Sequence, residues 1–260
     1  MPQGSEQGDA AIARLQEIVD AAEKEVARLM SQMSTSKGSL TSSEEAIANN
    51  RAVASQVRAA IAKLADASRA VGVAAAKPAT ASEASRLGLT LDPAAQTIID
   101  TVVEDRLKEI SGVWGDAADE VARATRVAIT TSGSIDTLVL DVQGKMRGTL
   151  SQAQSAVDSM AMAAGRQVTV IQAEDAAADL GEDVAYVYGG PADRITRPFC
   201  RRHLTSTTRQ VYTLAALDAL DAGAGQPGPV SAYMGGYNCR HNLSPISIAE
   251  AKRAGYTVIR

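Results

Sequence analysis

The sequence predicts a mostly α-helical chain that ends in a small α+β domain, on three observations. Between Pro93 and Pro191 there is no proline, and the first two thirds of the chain is rich in alanine, a composition that permits long helices. Aromatic residues make up 3% of the 260 residues, yet Tyr186, Tyr188, Phe199, Tyr212, Tyr233, Tyr237 and Tyr256 all follow position 185, and only Trp114 precedes it. The apolar spacing also changes after Gly181, from steps of three and four to alternation. These features divide the chain into a helical hairpin arm (1–73), a linker (74–92), a long-helix region (93–180) and the small domain (181–260).

Each element has its own warrant. In 9–34, Ile12, Leu15, Val19, Ala22, Val26, Leu29 and Met33 recur at alternating steps of three and four, the seam of a coiled coil or helical hairpin. Thr35 to Leu40 contains Gly38 and reads as a turn. Thr41 with Glu44, or Ser42 with Glu45, fits a capping box for a second helix running to about Val73. Its seam is Ile47, Ala54, Val57, Ile61, Leu64 and Val71, and the short turn folds the pair into an antiparallel hairpin. The small seam residues make such an arm marginal alone and favour a partner contact.

Asp92-Pro93 supplies an N-cap and a proline at the first helical position. A helix toward Thr131 follows, carrying Ile98, Val102, Leu107, Ile110, Val113 and Trp114, and Ser132-Gly133-Ser134 breaks it. A further helix is expected from Ile135 to Ala178, with Leu138, Val142, Met146, Leu150, Ala153 and Val157 buried. Asp183 to Tyr188 alternates and is rich in β-branched and aromatic residues, so it reads as a strand that Gly189-Gly190-Pro191 ends. Leu214 to Ala222 reads as a short helix, Gly223 to Ser231 as a Gly/Pro loop, and Thr257 to Ile259 as a closing strand.

Bulk properties exclude several classes. Apolar residues at 45% and charged residues at 22% are an ordinary globular balance. A net charge of -4 supplies no excess of cations for phosphate contacts, so general or sequence-specific nucleic-acid binding is not expected, although a local basic patch is compatible with it. Residues 1–12 have neither the basic start nor the apolar run of a signal peptide, and no apolar stretch reaches the length of a membrane span. A cytosolic chain is expected, where two cysteines are more often free, metal-bound or catalytic than disulfide-bonded.

All the cysteine and histidine of the chain lies in two short clusters, Cys200-x-x-His203 and Cys239-x-His241, about 35 residues apart. Two thiolates and two imidazoles suit tetrahedral Zn(II), and a closed four-ligand site is structural rather than catalytic. A domain with few large apolar residues gains from such a staple. The single-residue gap in Cys239-x-His241 is tighter than the usual two to four. A hydrogen-bonded, metal-free cluster and a disulfide or reactive pair are the alternatives. Asp193 and Thr196 suit a turn, the Gly235-Gly236 pair lets the backbone bend, and Arg197 and Arg240 can pair with Asp193 or with a partner's carboxylate.

Asp193-x-x-Thr196-Arg197-Pro198-Phe199-Cys200, followed after a spacer by Gly235-Gly236-Tyr237-Asn238-Cys239-Arg240-His241 and a Pro245-x-Ser247 tail, resembles the C-terminal domain of the phage Mu F-like head morphogenesis family, the minor head proteins. The resemblance covers about 183–248 closely. The long helices before it look like the helical part that precedes the motif in that family, and the N-terminal hairpin is not covered. It implies a structural component of a tailed-phage virion, assembled in the bacterial cytoplasm in multiple copies. Its partners would be portal, head or neck proteins, and its role would lie in head assembly or the DNA path. Two departures stand out: many relatives end the second cluster in C-R-C and carry Leu-His-Gly after the first cysteine, where this chain has Cys239-Arg240-His241 and Leu204-Thr205.

No enzyme is expected, because neither glycine pair has the lysine or the strand–helix context of a phosphate loop. The competing class is a metal-dependent nuclease or hydrolase, since Asn238, His241 and Asn242 beside a cysteine turn faintly resemble His-Asn-His nucleases. No spare carboxylate or second free histidine accompanies them. A toxin or effector reading finds no room for a further module after the motif.

Overall fold

A computed structural model describes residues 4–223, 228–236 and 239–260 of the chain. It is a mostly α structure with a small C-terminal α+β region, as the sequence leads one to expect. Two compact units are present, and their division falls inside the long helices instead of between elements. One unit comprises Asp9–Ala74 and Leu107–Val157; the other comprises Ala75–Arg106 and Asp158–Arg260 with residues 4–8.

The first unit is a helical bundle. Helix α1 (Gly4–Met30) is followed by the short strands β1 (Thr35–Ser36) and β2 (Ser39–Leu40), which pair around a turn with Lys37 and Gly38 at positive φ. Helices α2 (Glu44–Arg86), α3 (Pro93–Thr130) and α4 (Ile135–Leu180) complete it with their parts up to Ala74, from Leu107 and up to Val157 respectively. Ties run round the four segments: Asn50 of α2 to Ser34 after α1, Arg58 of α2 to Asp119 of α3, Glu120 of α3 to Lys145 of α4, and Arg147 of α4 to Glu23 of α1. Leu15, Val19, Val26 and Leu29 of the α1 seam are buried, as are Val57, Ile61 and Leu64 of α2. The α4 stripe from Leu138 to Val157 is buried throughout.

Several elements differ from the sequence reading, each for a local reason. The α2 seam begins at Ala46, Asn50 and Val53, leaving Ile47 and Ala54 half-buried. A polar Asn50 is accepted there because its Oδ1 takes the Ser34 amide at 2.7 Å and its Nδ2 donates to the Ser34 carbonyl at 3.3 Å. Neither expected capping box forms. Ser43 Oγ instead accepts from the Ala46 amide, at 3.3 Å. The expected linker 74–92 is helical to Arg86, so that only 87–92 connect α2 to α3. Pro78 lies inside the helix on an exposed face, while Ala75, Ala76, Ala79 and Thr80 are buried. The cap before α3 is as expected, with Asp92 Oδ1 accepting from the Ala95 amide at 2.7 Å. Ile98, expected inside, is 47% exposed, and Ile99 is buried in its place.

In the second unit a four-stranded sheet of order β5-β3-β4-β6 carries the site. Strand β3 (Val184–Gly189) is followed by α5 (Pro198–His203), α6 (Thr205–Thr208), β4 (Gln210–Tyr212), α7 (Leu214–Asp218), α8 (Val230–Tyr233), β5 (Asn242–Ser247), α9 (Ile248–Arg253) and β6 (Thr257–Ile259). Helix α7 stops four residues short of the expected end. Within the expected Gly223–Ser231 loop, 224–227 lie outside the described residues. Strands β3 and β5 pair antiparallel over six positions, Val184 with Ser247 through Gly189 with Asn242, and β4 and β6 pair in parallel. Alternation on β3 sends Tyr186 and Tyr188 to one face, where they pack with Val170 and Ala173 of α4, Phe199 and Leu204. Ala185 and Val187 go to the other face with Val211, Ile248 and Ala251. The 181–260 segment therefore shares its core with the end of α4.

Candidate metal centre

The two sequence clusters meet through the geometry of the sheet. Cys200 sits on α5, which Pro198 starts at its first turn just after β3. Cys239 and His241 immediately precede β5. Because β5 lies beside β3, with Gly189 opposite Asn242, the second cluster is delivered next to the first. Cys200 Sγ and Cys239 Sγ are 3.7 Å apart, and Cys239 Sγ is 3.4 Å from His241 Nδ1. The ligand atoms of Cys200, Cys239 and His241 all lie within 4.8 Å of one another, and all three residues are buried. These three residues lie close together and can bind a metal.

His203 does not join them. Three residues beyond Cys200 on α5, it turns its Nδ1 to the Tyr212 hydroxyl at 3.0 Å, which in turn donates to Gln210 Oε1 at 3.0 Å. Burial, helped by the neighbouring Arg202, holds the His203 pKa below its ordinary value. The four-ligand set Cys200, His203, Cys239 and His241 is corrected to three of its members.

The ring of His241 is set for coordination. Its Nε2 lies 3.0 Å from the Pro191 carbonyl, which only accepts, so Nε2 carries the proton and Nδ1 presents a lone pair toward Cys239. A backbone carbonyl holding the far N–H is the usual outer partner of a metal-bound histidine. Two glycines make the space. A Cβ on Gly235 would run into Cys200 Sγ, and one on Gly190, whose φ is +146°, into the His241 ring. The Gly235 amide donates to Cys239 Sγ at 3.3 Å.

The flanking motif closes on the same place. Arg240 pairs with both Asp193 oxygens at 2.7 and 2.8 Å, Thr196 Oγ1 donates to the Pro191 carbonyl at 2.8 Å, and Arg197 donates to the Gly235 carbonyl at 2.6 Å. Tyr237 and Asn238 of the motif lie outside the described residues. Asn242 stands at the start of β5, exposed, with its Oδ1 close to Gly189.

Sequence reasoning missed Arg166. This α4 residue is 9% exposed, and its guanidinium donates to the carbonyls of Ala232 (3.1 Å), Cys239 (2.8 Å) and His241 (2.9 Å). Burial lowers its pKa, and the neighbouring Cys239 opposes that effect. The signal was in the sequence: Arg166 is the one charge in the run from Met160 to Val170. A cation that deep needs fixed acceptors.

Charge is shared unequally between the sulfurs. Cys239 is held well below the ordinary thiol range by the Cys200 hydrogen bond first, then by the His241 and Gly235 amides and Arg166, against its burial. Cys200 is pushed up by its hydrogen bond to Cys239 and by burial. Burial and donation to Cys200 raise Tyr188, whose hydroxyl lies 3.4 Å from Cys200 Sγ.

No protein-family model matches the chain, and no match is found among curated proteins or solved structures.

Proposed function

We propose that the chain is a structural component of a tailed-phage virion, a minor head protein placed near the portal or neck, with a structural zinc stapling its C-terminal domain. The observation that carries the reading is that the residues of the minor-head motif spend their side chains on one another. Asp193 takes Arg240, Arg197 takes the Gly235 carbonyl, and Cys200 meets Cys239 and His241. A motif knotted in this way serves architecture. His241 is buried, with its Nε2 held by the Pro191 carbonyl and its Nδ1 turned to Cys239 Sγ, which counts against the hydrolase alternative.

The donor set fits zinc. Two sulfurs each about 2.3 Å from a tetrahedral ion lie about 3.8 Å apart, and a sulfur and a nitrogen about 3.5 Å apart. The observed separations are 3.7 and 3.4 Å. Bound there, zinc would supply a cross-link between α5 and the approach to β5. In this role the helices of the bundle unit make the contacts with portal, head or neck partners, in several copies per particle.

Mass spectrometry of purified particles, with immunogold labelling against the chain, tests the virion reading. Stoichiometric recovery at the portal vertex is the expected result, and absence from intact particles overturns it. Elemental analysis of the purified protein, with Cys200→Ser as control, tests the zinc separately: about one ion per chain is expected, lost in the variant.

A further inference from the structure

Three protein donors leave one corner of a tetrahedron open. We propose that the side-chain oxygen of Tyr188 fills it, so that the centre is built from Cys200, Cys239, His241 and Tyr188; the inference rests on the metal reading above. Tyr188 is 0% exposed, and its hydroxyl points at Cys200 Sγ from 3.4 Å, its one partner among the described residues. An oxygen about 2.0 Å and a sulfur about 2.3 Å from a tetrahedral ion lie about 3.5 Å apart.

The neighbouring tyrosines are placed otherwise. Tyr186 donates to Glu174 Oε1 at 2.7 Å and Tyr212 to Gln210 Oε1 at 3.0 Å, both strong oxygen acceptors. A fully buried hydroxyl left with a weak sulfur acceptor is under-used. Alternation on β3 aims Tyr188 at this face, and its ring lies 5.7 Å from that of His241 and 6.4 Å edge-on to Phe199. Its amide is anchored by Thr205 Oγ1 at 2.9 Å. Solvent has little access to the same corner, since Cys200, Cys239 and His241 are 1%, 4% and 4% exposed. His203, the donor the spacing suggested, is taken by Tyr212.

The test loads the full-length protein with Co(II), records the visible d–d absorption and adds imidazole. The wild type should show tetrahedral bands that imidazole leaves unchanged. Tyr188→Phe should still bind Co(II) but, with an opened corner, its bands should shift on adding imidazole. An identical response from both proteins overturns the proposal. If Tyr188→Phe does not fold, wild-type protein labelled with ¹³C at the tyrosine ζ carbon decides: one tyrosine should show a large contact shift on Co(II) loading, and no such shift overturns the proposal. No d–d bands at all in the wild type would remove the metal reading itself, whereas the other failures remove Tyr188 alone.

Discussion

The guanidinium of Arg166 donates to the Cys239 carbonyl at 2.8 Å, and through it a long helix holds the segment that brings the second cluster to the first. The same group takes the carbonyls of His241 and Ala232. Arg166→Ala would leave all three buried acceptors without this donor, at about 1–3 kcal/mol for each that finds no new partner. Urea unfolding of the variant should show a loss of about 3 kcal/mol or more. Arg166→Lys should recover part of it, because an ammonium lacks the planar fork.

Gly235→Ala places a methyl group against Cys200 Sγ. Overpacking of this kind costs about 1–3 kcal/mol. The metal-to-protein ratio of the variant should also fall below that of the parent, because the sulfurs must move apart. An unchanged ratio in elemental analysis would show that the Gly235 backbone is not part of the cradle.

Asp193 gives a pH signature. The Arg240 guanidinium, helped by the Thr196 hydroxyl and the Ile195 amide, holds its carboxyl below the ordinary range. A carboxyl depressed in the folded state contributes stability that is whole above its unfolded value, about 3.9, and is lost as pH falls through the folded value. Asp193→Asn should therefore differ most from the parent at neutral pH. The gap should close as pH drops below about 4 in a series of urea melts.

Asn50 offers the matching experiment in the bundle unit. It is 0% exposed and holds both the amide and the carbonyl of Ser34. Asn50→Ala should cost about 2 kcal/mol in urea unfolding, since two backbone groups lose their partner. A loss below about 0.5 kcal/mol would mean that water replaces the side chain.

The helices were legible because their apolar residues repeat at helical spacing over many turns, as the wholly buried stripe from Leu138 to Val157 shows. The end of α2 was not, because Pro78 normally stops a helix and here sits on an exposed face. Strand β5 was hidden by Pro245, which an edge strand tolerates, and β4 by its length of three residues. In the site, residue type and clustering pointed to Cys200, Cys239 and His241. They misplaced His203, because i to i+3 spacing gives a shared helix face but not the competing Tyr212 hydroxyl. Its lone charge in an apolar run marked Arg166 as buried, but the carbonyls it serves, more than sixty residues later, were out of reach of motif reading.

The pairing of β3 with β5 joins positions more than fifty residues apart in the chain, and Cys239 and His241 come just before the later strand. Helices close their hydrogen bonds locally, whereas such a pairing must wait for the intervening chain. As the protein is synthesised, α1 to α4 can form while the Cys200 thiol is still without its neighbours. The centre is thus among the last features to assemble, and a nascent chain halted before Cys239 would carry long helices beside a Cys200 thiol still without its neighbours.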